Sequence, residues 1–156
     1  MKALKYIIAI FFTMFICSCH EELNNTNEID EFENMLCSDD PENDIIGRWK
    51  IVKRRVNFTP TGAYTISYSN NYFICEFKNN GNLIIFEYID DTELNKNECS
   101  YELETRSGGV AGLNLMISFT CVTYGTWYTC CISNDLMYFD LSFLDGDTYY
   151  FKKITQ

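Results

Sequence analysis

The chain has 156 residues and a formal net charge of −10, with 22 acidic side chains against 12 Lys and Arg. Residues 45–156 hold twelve acidic and ten basic side chains, so they lack the basic footprint expected of a nucleic-acid-binding domain. The acidity is concentrated upstream, because residues 20–46 contain ten acidic residues and neither Lys nor Arg.

The first 18 residues have the form of a secretory signal peptide. Lys2 and Lys5 precede an apolar run that extends from Tyr6 to Ile16. This run is about half as long as the ~20 residues that a membrane-spanning helix needs, as is typical of a secretory signal. The run ends in Ile16-Cys17-Ser18-Cys19, which resembles the lipobox of bacterial lipoproteins and implies acylation of Cys19. Stable anchoring takes more than one acyl chain, and a triacylated cysteine meets that requirement. We therefore expect the membrane as a partner through Cys19.

Residues 19–44 are predicted to be a lipidated cysteine followed by an acidic, disordered tether. Such a segment buries too little apolar surface to offset the entropy lost on ordering. Immediately after Cys19, His20-Glu21-Glu22 resembles the surface-export signal of lipoproteins from Gram-negative gut bacteria. This resemblance implies an outer-membrane location with exposure at the cell surface.

Residues 45–156 have the length of one domain. Their apolar segments of five to nine residues, separated by Asn, Gly and Asp, indicate consecutive β-strands. The predicted strands are 47–56, 72–78, 82–88, 99–105, 113–121, 126–133, 136–143 and 148–154. Short connections and one buried face predict an all-β, eight-stranded antiparallel up-and-down barrel, whose closure removes exposed edges. A two-sheet sandwich is the alternative.

The Asn80-Gly81 dipeptide predicts a two-residue type I′ hairpin turn. Three later turns are predicted at Tyr124-Gly125, at Asn134-Asp135 and at Asp145-Gly146-Asp147. The four turns together predict the cross-strand pairs Phe77–Ile84, Cys75–Phe86, Phe73–Tyr88, Cys121–Tyr128, Phe119–Cys130, Ile132–Met137, Cys130–Phe139, Phe143–Tyr149, Leu141–Phe151 and Asp140–Lys152.

The inward faces of these strands form the candidate binding interior. It comprises Phe73, Phe77, Phe86, Tyr88, Tyr101, Phe119, Tyr128, Phe139, Phe143, Tyr149 and Phe151. We expect the barrel to hold a small hydrophobic ligand, with loop 59–71 as a lid that carries Tyr64, Ile66 and Tyr68. The alternative is a cell-surface interaction module with a packed barrel and no internal ligand, which the crowding of rings favours. Neither hypothesis names a protein partner.

Gly47-Arg48-Trp49 at the start of the first strand resembles the Gly-x-Trp motif of lipocalins, in which the Trp closes one end of an eight-stranded barrel. Phe77, Asn80-Gly81 and the terminal Tyr149 to Lys153 run are similar to small lipocalin-like domains found in lipoproteins of gut bacteria. The resemblance covers residues 45–156 and implies that Gly47 and Trp49 close the barrel. The chain lacks the Thr-Asp-Tyr signature and an Arg on the last strand, so Lys152 or Lys153 is expected to cover Trp49.

Catalytic and metal-binding motifs are missing. The only histidine, His20, belongs to the tether, so the domain offers no Ser-His-Asp or Cys-His arrangement and we expect no enzyme. The short Asp145-Gly146-Asp147 segment falls well short of a calcium loop. No Cys-x-x-Cys pair suits zinc, and neither a metal nor another cofactor is expected.

Six cysteines remain in the mature chain after lipidation of Cys19, and they allow fifteen complete pairings. Their expected positions divide them into two groups. Cys75, Cys121 and Cys130 are predicted to point inward and to behave as small buried hydrophobic residues. A Cys121–Cys130 disulfide is ranked lower, because it needs the turn to move by one register step. Cys37, Cys99 and Cys131 are the disulfide candidates, with no partners assigned.

Overall fold

A closed barrel forms the body of the protein. The computed structural model describes residues 31–57, 59–60, 62–107, 113–121, 127–141 and 146–155. Within them a short helix, α1 (Pro41–Asp44), precedes the strands β1 (Gly47–Val56), β2 (Tyr64–Ser67), β3 (Asn71–Phe77), β4 (Asn82–Ile89), β5 (Thr92–Ser107), β6 (Leu113–Phe119), β7 (Trp127–Ile132), β8 (Leu136–Asp140) and β9 (Thr148–Ile154). Each strand from β3 to β8 pairs with the next, and β1 pairs with both β3 and β9. The predicted eight-stranded antiparallel barrel is therefore confirmed.

The additional strand β2 lies where the sequence predicts a lid. Tyr64–Ser67 pairs with the second half of β1, whose first half pairs with β3. Between β2 and β3, the backbone N–H of Tyr68 donates to the Val52 carbonyl oxygen at 2.9 Å. Because Tyr64 and Ile66 extend along the edge of β1, they do not fold over the barrel end, and their expected role as a lid was wrong.

The β3–β4 turn is one residue longer than predicted. A type I′ turn needs a positive φ at both central residues, but of Asn80 and Gly81 only Gly81 has one, at 77°. The Lys78 N–H donates to the Asn82 carbonyl at 2.9 Å, which leaves three residues in the loop.

This longer turn moves the register of β4 by one residue, and a one-residue slip turns a strand's side chains over. Phe77 pairs with Leu83 instead of Ile84. As a result, Leu83, Ile85 and Glu87 point into the barrel, while Phe86 and Tyr88 point outward. The predicted inward positions of Phe86 and Tyr88 were wrong.

Strand β5 begins seven residues earlier than predicted. Asp90 and Asp91 both have positive φ angles, 48° and 60°, and they connect the paired residues Ile89 and Thr92. This is the backbone pattern of a type I′ turn, in which Asp is favoured. The first half of β5 pairs with β4 and the second half, from Tyr101, with β6. Among the described residues, the exposed segment 92–98 pairs only with β4.

The later hairpins keep the predicted faces. Tyr128 pairs with Ile117, and Tyr149 pairs with Phe139; each partner lies four residues from the predicted one. A shift by an even number leaves every side chain on the same side. The Asn134-Asp135 turn is confirmed, since Ile132 pairs with Met137. The predicted Asp140–Lys152 pair was wrong, because Asp140 lies opposite Thr148. Phe143 and the Tyr124-Gly125 turn lie outside the described residues.

A β-bulge changes the face of β1 midway along the strand. Ile51 pairs with Phe151, but the next paired residue, Lys53, is opposite Tyr150, so Val52 is the extra residue. Trp49 and Ile51 point inward before the bulge. After it, Arg54 points inward, because a bulge inverts the alternation of side chains.

Part of the predicted tether packs on the barrel wall. Residues 31–40, here called the strap, place Phe32 against Tyr150 with ring centres 5.0 Å apart, and Phe32 is 6% exposed. A Cys37–Cys131 disulfide holds the strap to β7, and the Ser38 N–H donates to the Ile132 carbonyl at 2.6 Å. One aromatic contact and one covalent bond therefore attach residues 31–40 to the barrel, although their acidic composition predicts a disordered tether.

Candidate functional site

Trp49 closes the barrel end at which β1 begins. Its side chain is fully buried, and Nε1 donates to the Ile45 carbonyl oxygen at 2.7 Å. Lys153 Nζ lies 5.0 Å from the centre of the indole ring and donates to the Asp44 carbonyl at 2.8 Å. Gly47 has a φ of 127°, and a Cβ there would lie 3.0 Å from Lys153 Cε. A glycine therefore fits this position, and Lys153 covers Trp49.

Aromatic rings fill the middle of the barrel. Phe139 is central, with its ring centre 4.9 Å from that of Phe151, 5.4 Å from Phe119 and 6.3 Å from Phe77. Further ring contacts join Phe77 to Tyr101 and Phe119 to Tyr128. Six residues of the predicted interior thus meet in one cluster: Phe77, Tyr101, Phe119, Tyr128, Phe139 and Phe151.

The far end of the barrel, where β1 ends and β9 begins, contains an ion pair that the sequence analysis missed. Arg54 Nε donates to Asp147 Oδ2 at 2.6 Å, and Nη2 contacts the same oxygen. The guanidinium carbon lies 5.6 Å from the ring centre of Tyr149, the predicted interior residue at this end. Burial raises the pKa of Tyr149. Strict alternation of side chains along β1 would point Arg54 outward. The bulge at Val52 inverts the alternation, so no local sequence pattern indicates that Arg54 points inward.

A small cleft at the far end is lined by Tyr68, Asn71, Tyr72, Phe73, Glu87 and Tyr88. Its volume of about 20 Å³ is room for roughly one water molecule, whereas ligand pockets are typically about 300 Å³ or larger. Glu87 lies opposite Phe73, and burial raises the pKa of its carboxyl group.

The outer wall carries an apolar cluster that includes both mispredicted residues. This outer aromatic face consists of Tyr72 and Ile74 of β3 with Ile84, Phe86 and Tyr88 of β4. Tyr72 and Tyr88 stack with ring centres 5.1 Å apart. Cationic side chains of β1 lie over the rings: Lys50 Nζ is 3.5 Å from the centre of Tyr72, and the Arg48 guanidinium carbon is 5.4 Å from that of Phe86.

The cysteines form two disulfides, Cys37–Cys131 and Cys99–Cys121. The prediction that Cys121 is a free inward thiol was wrong. Tyr101 lies opposite Phe119 in the β5–β6 register, and two residues further along, the same register places Cys99 opposite Cys121. Cys75 and Cys130 are free and buried. Burial raises the pKa of each thiol to about 12, so both stay protonated and weakly nucleophilic at neutral pH.

Within the described residues, no group of three or more His, Cys, Asp or Glu side chains is arranged to hold a metal ion. No helix in this part of the chain combines the length and apolar character needed to cross a bilayer. Cys19 lies outside the described residues. No protein-family model, curated protein or solved structure matches the sequence. Function is therefore argued from the site itself.

Proposed function

We propose that this chain is a lipid-anchored, non-enzymatic lipoprotein of the outer membrane whose lipocalin-like barrel serves as a cell-surface interaction module. The observation that carries this proposal is the packing of six aromatic rings, with Phe139 at the centre, in the middle of the barrel, at centre-to-centre distances from 4.9 Å. Rings in such contact leave little room for a ligand among them. The outer aromatic face offers a binding surface instead.

The outer aromatic face suits protein recognition because interface cores are enriched in aromatic residues and Arg. Its rings stand on two paired strands, β3 and β4, and the cationic side chains of Arg48 and Lys50 lie beside them. Tyr72, Ile74 and Ile84 are buried within this face, whereas Phe86 and Tyr88 are half-buried, so the two rings of β4 are the part that a partner can contact.

A photo-crosslinking amino acid at Phe86 tests this surface in cells. We expect a discrete crosslinked product from position 86 and none from position 102 on the outward, exposed side of β5. Equal crosslinking at both positions, or none at position 86, would contradict a specific interface on the outer aromatic face.

The anchor is tested separately with Cys19→Ala. We expect the protein to leave the membrane fraction or to accumulate as precursor, with loss of acyl labelling. Unchanged fractionation together with unchanged labelling would refute anchoring through Cys19.

A small hydrophobic ligand inside the barrel is the second candidate function. The cleft beside Phe73 and Glu87 favours it, because it places an apolar ring and a polar group together at the far end. Native mass spectrometry of protein purified gently from its source separates the two functions. A bound small molecule of constant mass would support the ligand, whereas the mass of the lipidated mature chain alone is expected for the interaction module.

A further inference from the structure

Basic residues are concentrated on two neighbouring strands. Of the ten Lys and Arg residues in 45–156, five belong to β1 and two to β9, and neither strand contains an acidic residue. Five of these side chains point outward and define the cationic strip: Arg48, Lys50, Lys53 and Arg55 of β1 with Lys152 of β9. This side of the barrel thus carries five cationic side chains, with Glu76 opposite Arg48 and Glu31 of the strap beside Lys152.

Repulsion between like charges within the cationic strip destabilises the folded barrel. Lys50 lies directly across from Lys152 in the β1–β9 ladder, and like charges in that position are destabilising. Glu31 of the strap offsets one of them, with a 2.8 Å contact to Lys152. Within the described residues, Lys50 and Arg55 have no carboxylate partner. Local conflicts of this kind are expected where function requires them.

The strap connects the strip with the proposed anchor. Its first described residue, Glu31, contacts Lys152, and the following Phe32 packs beside Tyr150 of β9. Lys53 Nζ lies 5.0 Å from the centre of the Phe32 ring. The chain that leads to Cys19 therefore leaves the barrel at the cationic strip. Eleven residues separate Cys19 from Glu31, which span at most about 40 Å.

We propose that the cationic strip docks the barrel on the phosphate groups of anionic lipids in the membrane that holds the lipid anchor. The proposal rests on the lipidation of Cys19. Each basic residue near an anionic surface strengthens membrane binding about fivefold, and the attraction acts within a Debye length of about 8 Å at physiological salt. The tether brings the strip to the bilayer. Docking through β1 and β9 leaves Phe86 and Tyr88 of β4 open to a protein partner, because β3 separates β4 from β1.

Lysine footprinting of the purified, lipidated protein tests this docking. The protein is reconstituted in vesicles of phosphatidylcholine alone or of an equimolar mixture with phosphatidylglycerol, then treated with an amine-acylating reagent and read by mass spectrometry. We expect acylation of Lys50 and Lys152 to fall several-fold in the anionic vesicles and to recover at high salt. Lys96, which lies on the exposed first half of β5 away from the strip, is the internal control and should not change.

Arg55→Gln and Lys96→Gln form a matched pair, because each removes one positive charge from an exposed side chain. Arg55→Gln is expected to weaken the protection of Lys50 and Lys152 severalfold, and Lys96→Gln to leave it unchanged. Equal acylation of the strip lysines in neutral and anionic vesicles would overturn the proposal. If protection were equal in both vesicles but were lost after Glu21, Glu22 and Glu28 are changed to Gln, the acidic tether would be the occupant and membrane docking would be refuted.

Failure of docking is distinguishable from failure of the anchor. Co-flotation with vesicles and acyl labelling report the lipid on Cys19 whether or not the strip contacts the surface. A protein that floats with anionic vesicles and shows no strip protection retains the anchor and refutes the docking.

Discussion

The carboxylate-bearing residue Glu87 lies directly opposite Phe73 on the inner wall of the barrel. The three-residue β3–β4 loop creates this relationship, because it turns Glu87 inward and the neighbouring Phe86 outward. An ionisable group at an inward position loses hydration, and burial raises the pKa of Glu87.

Glu87→Gln is expected to stabilise the domain at neutral pH. Below the ordinary pKa of a glutamate, both the folded and the unfolded chain carry the proton, so Glu87 has no effect on the pH dependence of stability. As pH rises through the raised pKa of the folded state, the unfolded chain has already released its proton, and the free energy of unfolding falls. The stabilisation by Gln should therefore shrink as pH falls below about 4. Urea denaturation from acidic to neutral pH measures it.

Glu102→Gln is the matched control for this prediction. Glu102 is exposed on the outward side of β5, and the same substitution there should change stability little at any pH. A destabilised Glu87→Gln protein at neutral pH would mean that the charged carboxylate has a favourable role at the far end.

Trp49→Ala should be among the costliest single substitutions. Trp49 is fully buried and donates to Ile45, and removing a buried Trp typically costs about 3–5 kcal/mol. Trp127 is the control, because it is half-buried on the outward face and contacts Arg106, whose guanidinium carbon is 4.1 Å from the ring centre. Its removal should cost about 1 kcal/mol. Equal losses in chemical denaturation would contradict a closing role for Trp49.

The two disulfides should differ in their contribution to stability. Cys37–Cys131 joins residues 94 apart in sequence, and Cys99–Cys121 joins residues 22 apart. Restricting the longer loop lowers the entropy of the unfolded chain more, by about 1 kcal/mol at room temperature. We expect the Cys37→Ala/Cys131→Ala protein to be less stable than the Cys99→Ala/Cys121→Ala protein by about that amount. The reverse order in thermal unfolding would show that the strap contributes little.

The Arg54–Asp147 pair should couple more strongly than an exposed pair. Its side chains are 26% and 16% exposed, and leaving either charge without its partner should cost about 1–3 kcal/mol. The Lys96–Glu98 pair is the control, with side chains 47% and 66% exposed, and should contribute at most about 1 kcal/mol. Double-mutant cycles with Arg54→Gln and Asp147→Asn, and with Lys96→Gln and Glu98→Gln, measure both. Equal coupling would mean that water screens the far end fully.

Hairpin patterns predicted most of the candidate interior. The predicted partners of Tyr128 and Tyr149 lie four residues from the observed ones. Both side chains nevertheless point inward as predicted, because an even shift keeps a side chain on the same face. Phe86 and Tyr88 were assigned with a one-residue error and lie on the opposite wall. The choice between a two-residue and a three-residue loop depends on the backbone angle of Asn80, which the Asn-Gly dipeptide does not specify.

The sequence by itself determined the period-two alternation and the number of barrel strands, because these follow from local propensity. Tertiary structure decided what depends on distant neighbours. The bulge at Val52 turns Arg54 inward to meet Asp147, ninety-three residues away. The strap is ordered by a bond to Cys131 on β7, which no local pattern in an acidic segment indicates. In each case the stabilising partner is remote in the chain, so only closure of the barrel brings the two together.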